Sequence, residues 1–226
     1  VIGRQLEYNK AISEEGLKND WGANIGKLLL THYSNNVRIK ARAWAAAGSD
    51  ARMNGCEMPV IINSGSGNQG ITASMPVLAY AQEYNIDEDR LYRALVVSNL
   101  TAIHQKTTIG RLSAYCGAIS AGCASACGVA YLLGEGLETI SQTLSNSLAI
   151  TSGVICDGAK ASCAAKIATA VDAGLMGYYM CKNKKNFCGG DGIVGDDIEK
   201  TIKNVGKLAS QGMRETDKVI IDIMTE

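Results

Sequence analysis

The stretch SAYCGAISAGCASACGVAYLL, Ser113 to Leu133, carries no charged residue, and its only large aliphatic residues are Ile119, Val129, Leu132 and Leu133. A membrane span of this length is normally built from bulky apolar side chains. Here Ala, Gly, Ser and Cys take their place, so the stretch reads as a buried helix whose neighbours approach closely. It predicts a helix over 109–133 at the centre of the fold, ringed by others. Elsewhere the chain is dominated by Ala, Leu, Ile and Lys, and only Pro59 and Pro76 interrupt, which favours helix. The expected fold class is all-α: a globular multi-helix domain around a central small-residue helix, spanning residues 1–226 as one unit.

Apolar spacing predicts further helices over 7–32, 38–47, 69–84, 87–105, 137–155 and 158–182, and from 195 to the C-terminus with a break near Gly212. Residues 59–63 read as a short extended run ahead of a glycine-rich loop. With 226 residues, 46% of them hydrophobic, the chain can bury a substantial core. Its 22 basic residues balance 22 acidic ones, so neither nucleic acid nor an anionic membrane is an expected partner, and a small molecule is. Eight cysteines sit within helical patterns, with no secretion signal ahead of them, which points to a reducing cytoplasm. Val1-Ile2-Gly3-Arg4 reads as the start of a piece cut from a longer chain.

Three constellations carry chemistry. The first is Asn63-Ser64-Gly65-Ser66-Gly67-Asn68-Gln69-Gly70. It contains a literal G-x-G-x-x-G, but helical periodicity follows where a dinucleotide fold needs a second strand, so NAD is not expected. Backbone N–H groups, the Ser64 and Ser66 hydroxyls and the Asn68 and Gln69 amides at a helix start suit a substrate carboxylate. The competing reading is a tight turn whose side chains only cap the helix.

The second is the cysteine set. In a continuous helix Cys156 and Cys163 would stand about 10.5 Å apart along the axis, too far for one compact centre. A break at Asp157-Gly158 would let Cys156 fold back over the first helical turn, so that both sulfurs converge above orphan N–H groups that favour an anionic iron–sulfur cluster. A third thiol must then come from elsewhere. Cys116, Cys123 and Cys127 share one helical face, which is equally a packing face of small residues. Cys116, nearest the helix start, is the best candidate among them. Zinc competes as the metal, although no C-x-x-C pair is present and His32 and His104 are the only histidines.

The third is Thr101 to Arg111, where His104, Lys106 and Arg111 gather at a helix junction just upstream of Cys116. They could bind a carboxylate or move a proton; the alternative is a solvated helix end. Lys160 and Lys166 are similarly ambiguous.

Together, Ser64-Gly65-Ser66-Gly67-Asn68-Gln69-Gly70, Gly110-Arg111-Leu112-Ser113-Ala114-Tyr115-Cys116-Gly117, and Cys156-Asp157-Gly158-Ala159-Lys160 with Cys163 resemble the serine dehydratase alpha-chain superfamily, in particular its L-cysteine desulfidase branch. The resemblance runs over essentially the whole chain. It implies a [4Fe-4S] cluster held by Cys116, Cys156 and Cys163, and α,β-elimination on L-cysteine or L-serine without pyridoxal phosphate. Pyruvate and ammonia would be the products, with sulfide from cysteine. In that scheme the Ser64–Gly70 loop cradles the carboxylate, and His104 or Lys106 assists charge neutralisation. Members of the superfamily are normally about twice this length, and their N-terminal half contributes a cysteine proposed as the catalytic base. The chain is therefore expected to be the C-terminal portion, with the missing half or a complementary chain as partner and a homodimer as a further option. The alternative from another class is a non-catalytic cluster-binding or substrate-sensing module.

Overall fold

A computed structural model describes residues 1–110 and 113–226, so Arg111 and Leu112 of the expected motifs lie outside the described residues. The fold is all-α. In chain order the helices are α1 (Ile2–Lys18), α2 (Ile25–His32), α3 (Val37–Met53), α4 (Gly67–Glu83), α5 (Glu88–Ile109), α6 (Gly117–Leu132), α7 (Leu137–Thr151), α8 (Cys163–Lys182), α9 (Ile198–Lys207) and α10 (Arg214–Thr225). A π-helical turn, Leu208–Gly212, joins the last two. Among the described residues there is no strand, only two isolated antiparallel bridges, Asn63 with Ser66 and Tyr115 with Ile155. None of their helices is long and apolar enough to cross a membrane.

Helix α6 is the centre, as its composition predicts. Residues 118–130 are all buried, and α4, α5, α7 and α8 enclose it. Its small residues set the packing distance. A Cβ on Gly122 would stand 2.6 Å from the Ala170 Cβ of α8, and one on Gly174 would stand 2.7 Å from the Gly122 carbonyl oxygen. The α6 and α8 backbones are therefore nearly in contact, and the larger core side chains, among them Tyr80, Met75, Leu95, Ile119, Leu148 and Ile167, fill the space further out.

Several expected boundaries move, among them α3, which runs on to Met53, and α7, which ends at Thr151; three of the shifts have a local reason. The first helix divides into α1 and α2 because Gly22 and Asn24 adopt left-handed conformations, φ +56° and +51°, and the Asn24 side chain accepts the Trp21 N–H at 3.1 Å. The central helix starts at Gly117 instead of 109, because residues 114–116 run extended against 154–156. Helix α8 starts at Cys163 instead of 158, after a loop in which Gly158 takes φ +89°. These last two departures build the site.

Replacing Gly122 with alanine puts a methyl group where α8 already stands. Gly122→Ala should destabilise the protein by about 1–3 kcal/mol, read as a lowered midpoint in thermal or denaturant unfolding. Unchanged stability would mean that α6 and α8 are not packed at backbone distance.

Candidate active site

Three segments and two side chains meet at a cavity of about 320 Å³: the loop before α4, the start of α6 and the loop before α8, with Arg52 of α3 and Lys106 of α5. Each is placed by local chemistry. In the first loop Asn63 and Ser66 exchange both backbone hydrogen bonds, at 3.1 and 3.0 Å, around Ser64 (φ +50°) and Gly65 (φ +87°). This is the two-residue turn that left-handed central residues favour. The Asn63 amide donates to the Asn99 backbone and side-chain oxygens at 3.2 and 2.9 Å, fastening the turn to α5. The G-x-G-x-x-G is thus a turn and a helix start, with no strand following among the described residues.

The second and third segments are joined by a short antiparallel pairing. The Cys116 N–H donates to the Val154 oxygen at 3.1 Å and the Cys156 N–H to the Ala114 oxygen at 2.6 Å. Two residues distant in sequence are thereby set side by side, and the Cys116 thiol donates a hydrogen bond to the Cys156 sulfur. That bond, the Gly158 N–H and the charge of Lys166 together pull the Cys156 pKa down to about 6, against burial and the nearby Asp157. The same hydrogen bond and burial push the Cys116 thiol up. Of the two, Cys156 is therefore the thiol that ionises first. Lys166 also donates to the Ile155 oxygen at 3.1 Å and to Asp157, which holds the loop between the cysteine and α8.

The helices α4, α6 and α8 all begin at the cavity, and the unpaired N–H groups at the starts of α4 and α6 favour an anion there, whereas at α8 the Cys163 and Ala164 N–H groups donate to the Lys160 and Ala161 oxygens. Lys106 faces it while only 6% exposed. Burial pushes the Lys106 ammonium down in pKa, and the Cys156 and Cys116 sulfurs oppose that shift. No aspartate or glutamate is among the described residues lining the cavity.

Of the residues expected from sequence, Ser64, Ser66, Asn68, Gln69, Lys106, Cys116, Cys156 and Cys163 line this one cavity. His104 does not. It is exposed on α5, where its Nε2 lies 3.0 Å from both Glu199 carboxylate oxygens of α9. Cys123 and Cys127 are core residues with thiols pushed up by burial. Arg52 lines the cavity without having been marked by any local motif, and Tyr115, part of the Gly110–Gly117 motif, lines it without having been given a role. Arg52 lies in an ordinary last turn of α3, and its role is visible only after folding.

A family model described as serine dehydratase alpha chain matches residues 1–222. The chain belongs to that family. Similar relatives are UPF0597 proteins. The one from Desulfitobacterium hafniense is 60% identical over 224 residues, 99% of this chain and 52% of the relative. The one from Lachnoclostridium phytofermentans is 55% identical over 224 residues, 99% and 54%, and that from Finegoldia magna is 54% identical over 226 residues, 100% and 54%. The chain spans about half the length of these curated relatives. No solved structure matches it.

The expected [4Fe-4S] cluster is corrected by the side-chain arrangement of this family member. Among the described residues no group of three or more His, Cys, Asp or Glu side chains is placed to hold a metal ion. The reason is visible at Cys163, which lines the same cavity but is engaged by its own turn: its sulfur accepts the Lys160 N–H at 3.5 Å and faces the Gly158 oxygen at 3.6 Å. Cys116 and Cys156 lie beside each other instead, as free thiols. The donor set thus comprises a thiol pair and a separately committed third thiol, which do not fit the cluster.

Iodoacetamide labelling of Cys156, followed by mass spectrometry, should rise with a midpoint near pH 6, while Cys116 stays protected. In Cys116→Ala the midpoint should move up toward the ordinary thiol range. An unchanged midpoint would show that the hydrogen bond from Cys116 does not set it.

Proposed function

We propose that this protein catalyses α,β-elimination on a small L-amino acid, L-cysteine or L-serine, giving pyruvate and ammonia, with sulfide when the substrate is cysteine. Family membership supports a dehydratase-like lineage, and one observation carries the chemistry: backbone pairing sets Cys116 and Cys156 side by side at the wall of a cavity lined by Arg52 and Lys106, with Cys156 shifted down in pKa and Cys116 up. Elimination needs a base for the α-proton and an acid for the leaving group. A pair of titratable groups pushed apart in pKa supplies both.

In this reading the Cys156 thiolate takes the proton from Cα, and the C–H electron pair forms the Cα=Cβ bond. The Cβ–S or Cβ–O bond breaks, and Cys116 delivers its proton to the departing sulfur or oxygen. The resulting 2-aminoacrylate tautomerises to an imine, which water hydrolyses to pyruvate and ammonia. A proton shift from Cys156 to Cys116 across their hydrogen bond restores the starting pair. Negative charge that spreads onto the carboxylate as Cα loses its proton is met by Lys106 and by the starts of α4 and α6, where fixed donors act with little reorganisation. His104 stands too far into solvent for a part in this scheme.

The proposed active protein includes the portion of the relatives that this chain does not span, or a second chain equivalent to it. A reducing compartment such as the cytoplasm suits a site that works through a free thiol pair.

The test is anaerobic pyruvate release from L-cysteine and from L-serine by the full-length protein. Turnover should rise through about pH 6 as Cys156 ionises. Cys156→Ser should lower kcat by about 10²–10⁴-fold, the usual contribution of a general base. Undiminished turnover in that variant would remove Cys156 from the chemistry, and binding without turnover in the wild type would leave a substrate-sensing module.

A further inference from the structure

We infer that Arg52 and Gln69 read the two charged ends of a free α-amino acid, Arg52 taking the carboxylate and Gln69 the ammonium. The inference rests on the elimination reading above and adds the features that select its substrate.

Arg52 projects from the end of α3 over the start of α4. A Cβ on Gly67 would stand 2.4 Å from the Arg52 Nε, so only glycine leaves room for the guanidinium there. Its Nη1 donates to the Asn68 side-chain oxygen at 3.2 Å. Three other arginines of the fold have carboxylate partners, Arg38 and Arg42 sharing Asp172 at 2.8 and 3.5 Å and Arg93 meeting Asp89 at 2.9 Å, and Arg90 donates to the Leu132 and Tyr131 carbonyl oxygens at 2.7 and 3.2 Å. Arg52 has none among the described residues, and the cavity lining offers none. A guanidinium carries five donors in a planar fork that matches a carboxylate. Beside it, the first N–H groups of α4 add donors of their own. Both features call for an anion brought by a ligand.

Gln69 presents the opposite demand. It is 6% exposed and lines the cavity, yet its Oε1 has no donor among the described residues. A buried carbonyl oxygen without a donor is costly and uncommon. The side chain is held over the first turn of α6, where a Cβ on Gly117 would stand 2.5 Å from Nε2 and 3.1 Å from Oε1. The side chain that carries the orphan acceptor therefore lines the same cavity as the arginine without a carboxylate partner. A zwitterion satisfies both: its carboxylate answers Arg52 and the α4 start, and its ammonium donates to Gln69. Held at these two points, an amino acid has little freedom to turn Cα away from the cavity wall that carries Cys116 and Cys156. The substrate class is a small amino acid with a free amino group; deaminated and N-acylated analogues lack the donor that Gln69 needs.

Calorimetric titration of the full-length protein with L-alanine and with propionate tests this, since neither ligand has a leaving group. Wild type should bind L-alanine at least about tenfold more tightly than propionate, because a site built to hydrogen-bond a group rejects the ligand that lacks it. Gln69→Leu should erase that preference, Gln69→Glu should keep it, and Arg52→Gln should weaken both ligands. Circular dichroism checks that each variant is folded, and the glutamate variant keeps the test informative if the leucine variant is not. Absence of a preference in wild type, whether both ligands bind alike or neither binds, overturns the inference. So does a preference that survives Gln69→Leu. Pyruvate release, measured separately, decides the elimination reading on its own.

Discussion

The near-contact of α6 with its neighbours constrains everything else in the fold. Where Gly122 meets Ala170 and Gly174, backbones approach to a distance that leaves no side chain between them. Helices packed in this way cannot slide or rotate without collision, because a close-packed interior has few empty positions to move into. The starts of α4, α6 and α8 are consequently fixed around one cavity. That convergence gives the site its electrostatic character before any charged side chain is counted, since the starts of α4 and α6 leave N–H groups unpaired beside the cavity.

Two cationic side chains add to this field and no carboxylate among the described lining residues opposes it. Such an environment stabilises a thiolate, and Cys156, pulled down in pKa beside Cys116, is the thiol it favours in that form. The extended pairing of residues 114–116 with 154–156 is what places the two sulfurs together. Cys163, one residue into α8, belongs to the same cavity but turns its sulfur to the Gly158–Lys160 loop. A three-thiol ligand set needs three sulfurs free to point inward, and here local hydrogen bonding has already engaged the third.

Much of the helical framework was legible in the sequence, and so was the region of the site. The uncharged small-residue stretch identified α6 as the buried centre, and Ser64 to Gln69 was recognisable as a turn ahead of a helix with polar groups suited to an anion. The break between Cys156 and the next helix followed from Asp157-Gly158. Other features were not legible. The division of α1 from α2 rests on left-handed backbone at Gly22 and Asn24 within a pattern that otherwise continues a helix. His104, beside Lys106 in sequence, lies on another face of α5 and pairs with Glu199 of α9. A few residues along a helix are enough to separate a cavity wall from solvent, and only the neighbours of α5 decide which is which.

What the sequence by itself determined is the all-α class, the small-residue centre and the composition of the loops, because helix propensity, side-chain volume and turn chemistry act between residues close along the chain. Tertiary structure alone decided that Cys116 meets Cys156, that Cys163 does not join them, and that Arg52 and Gln69 line one cavity. These pairings depend on helix register and on the extended contact between 114–116 and 154–156. Register is set by the summed packing of the whole core, to which no single motif has access.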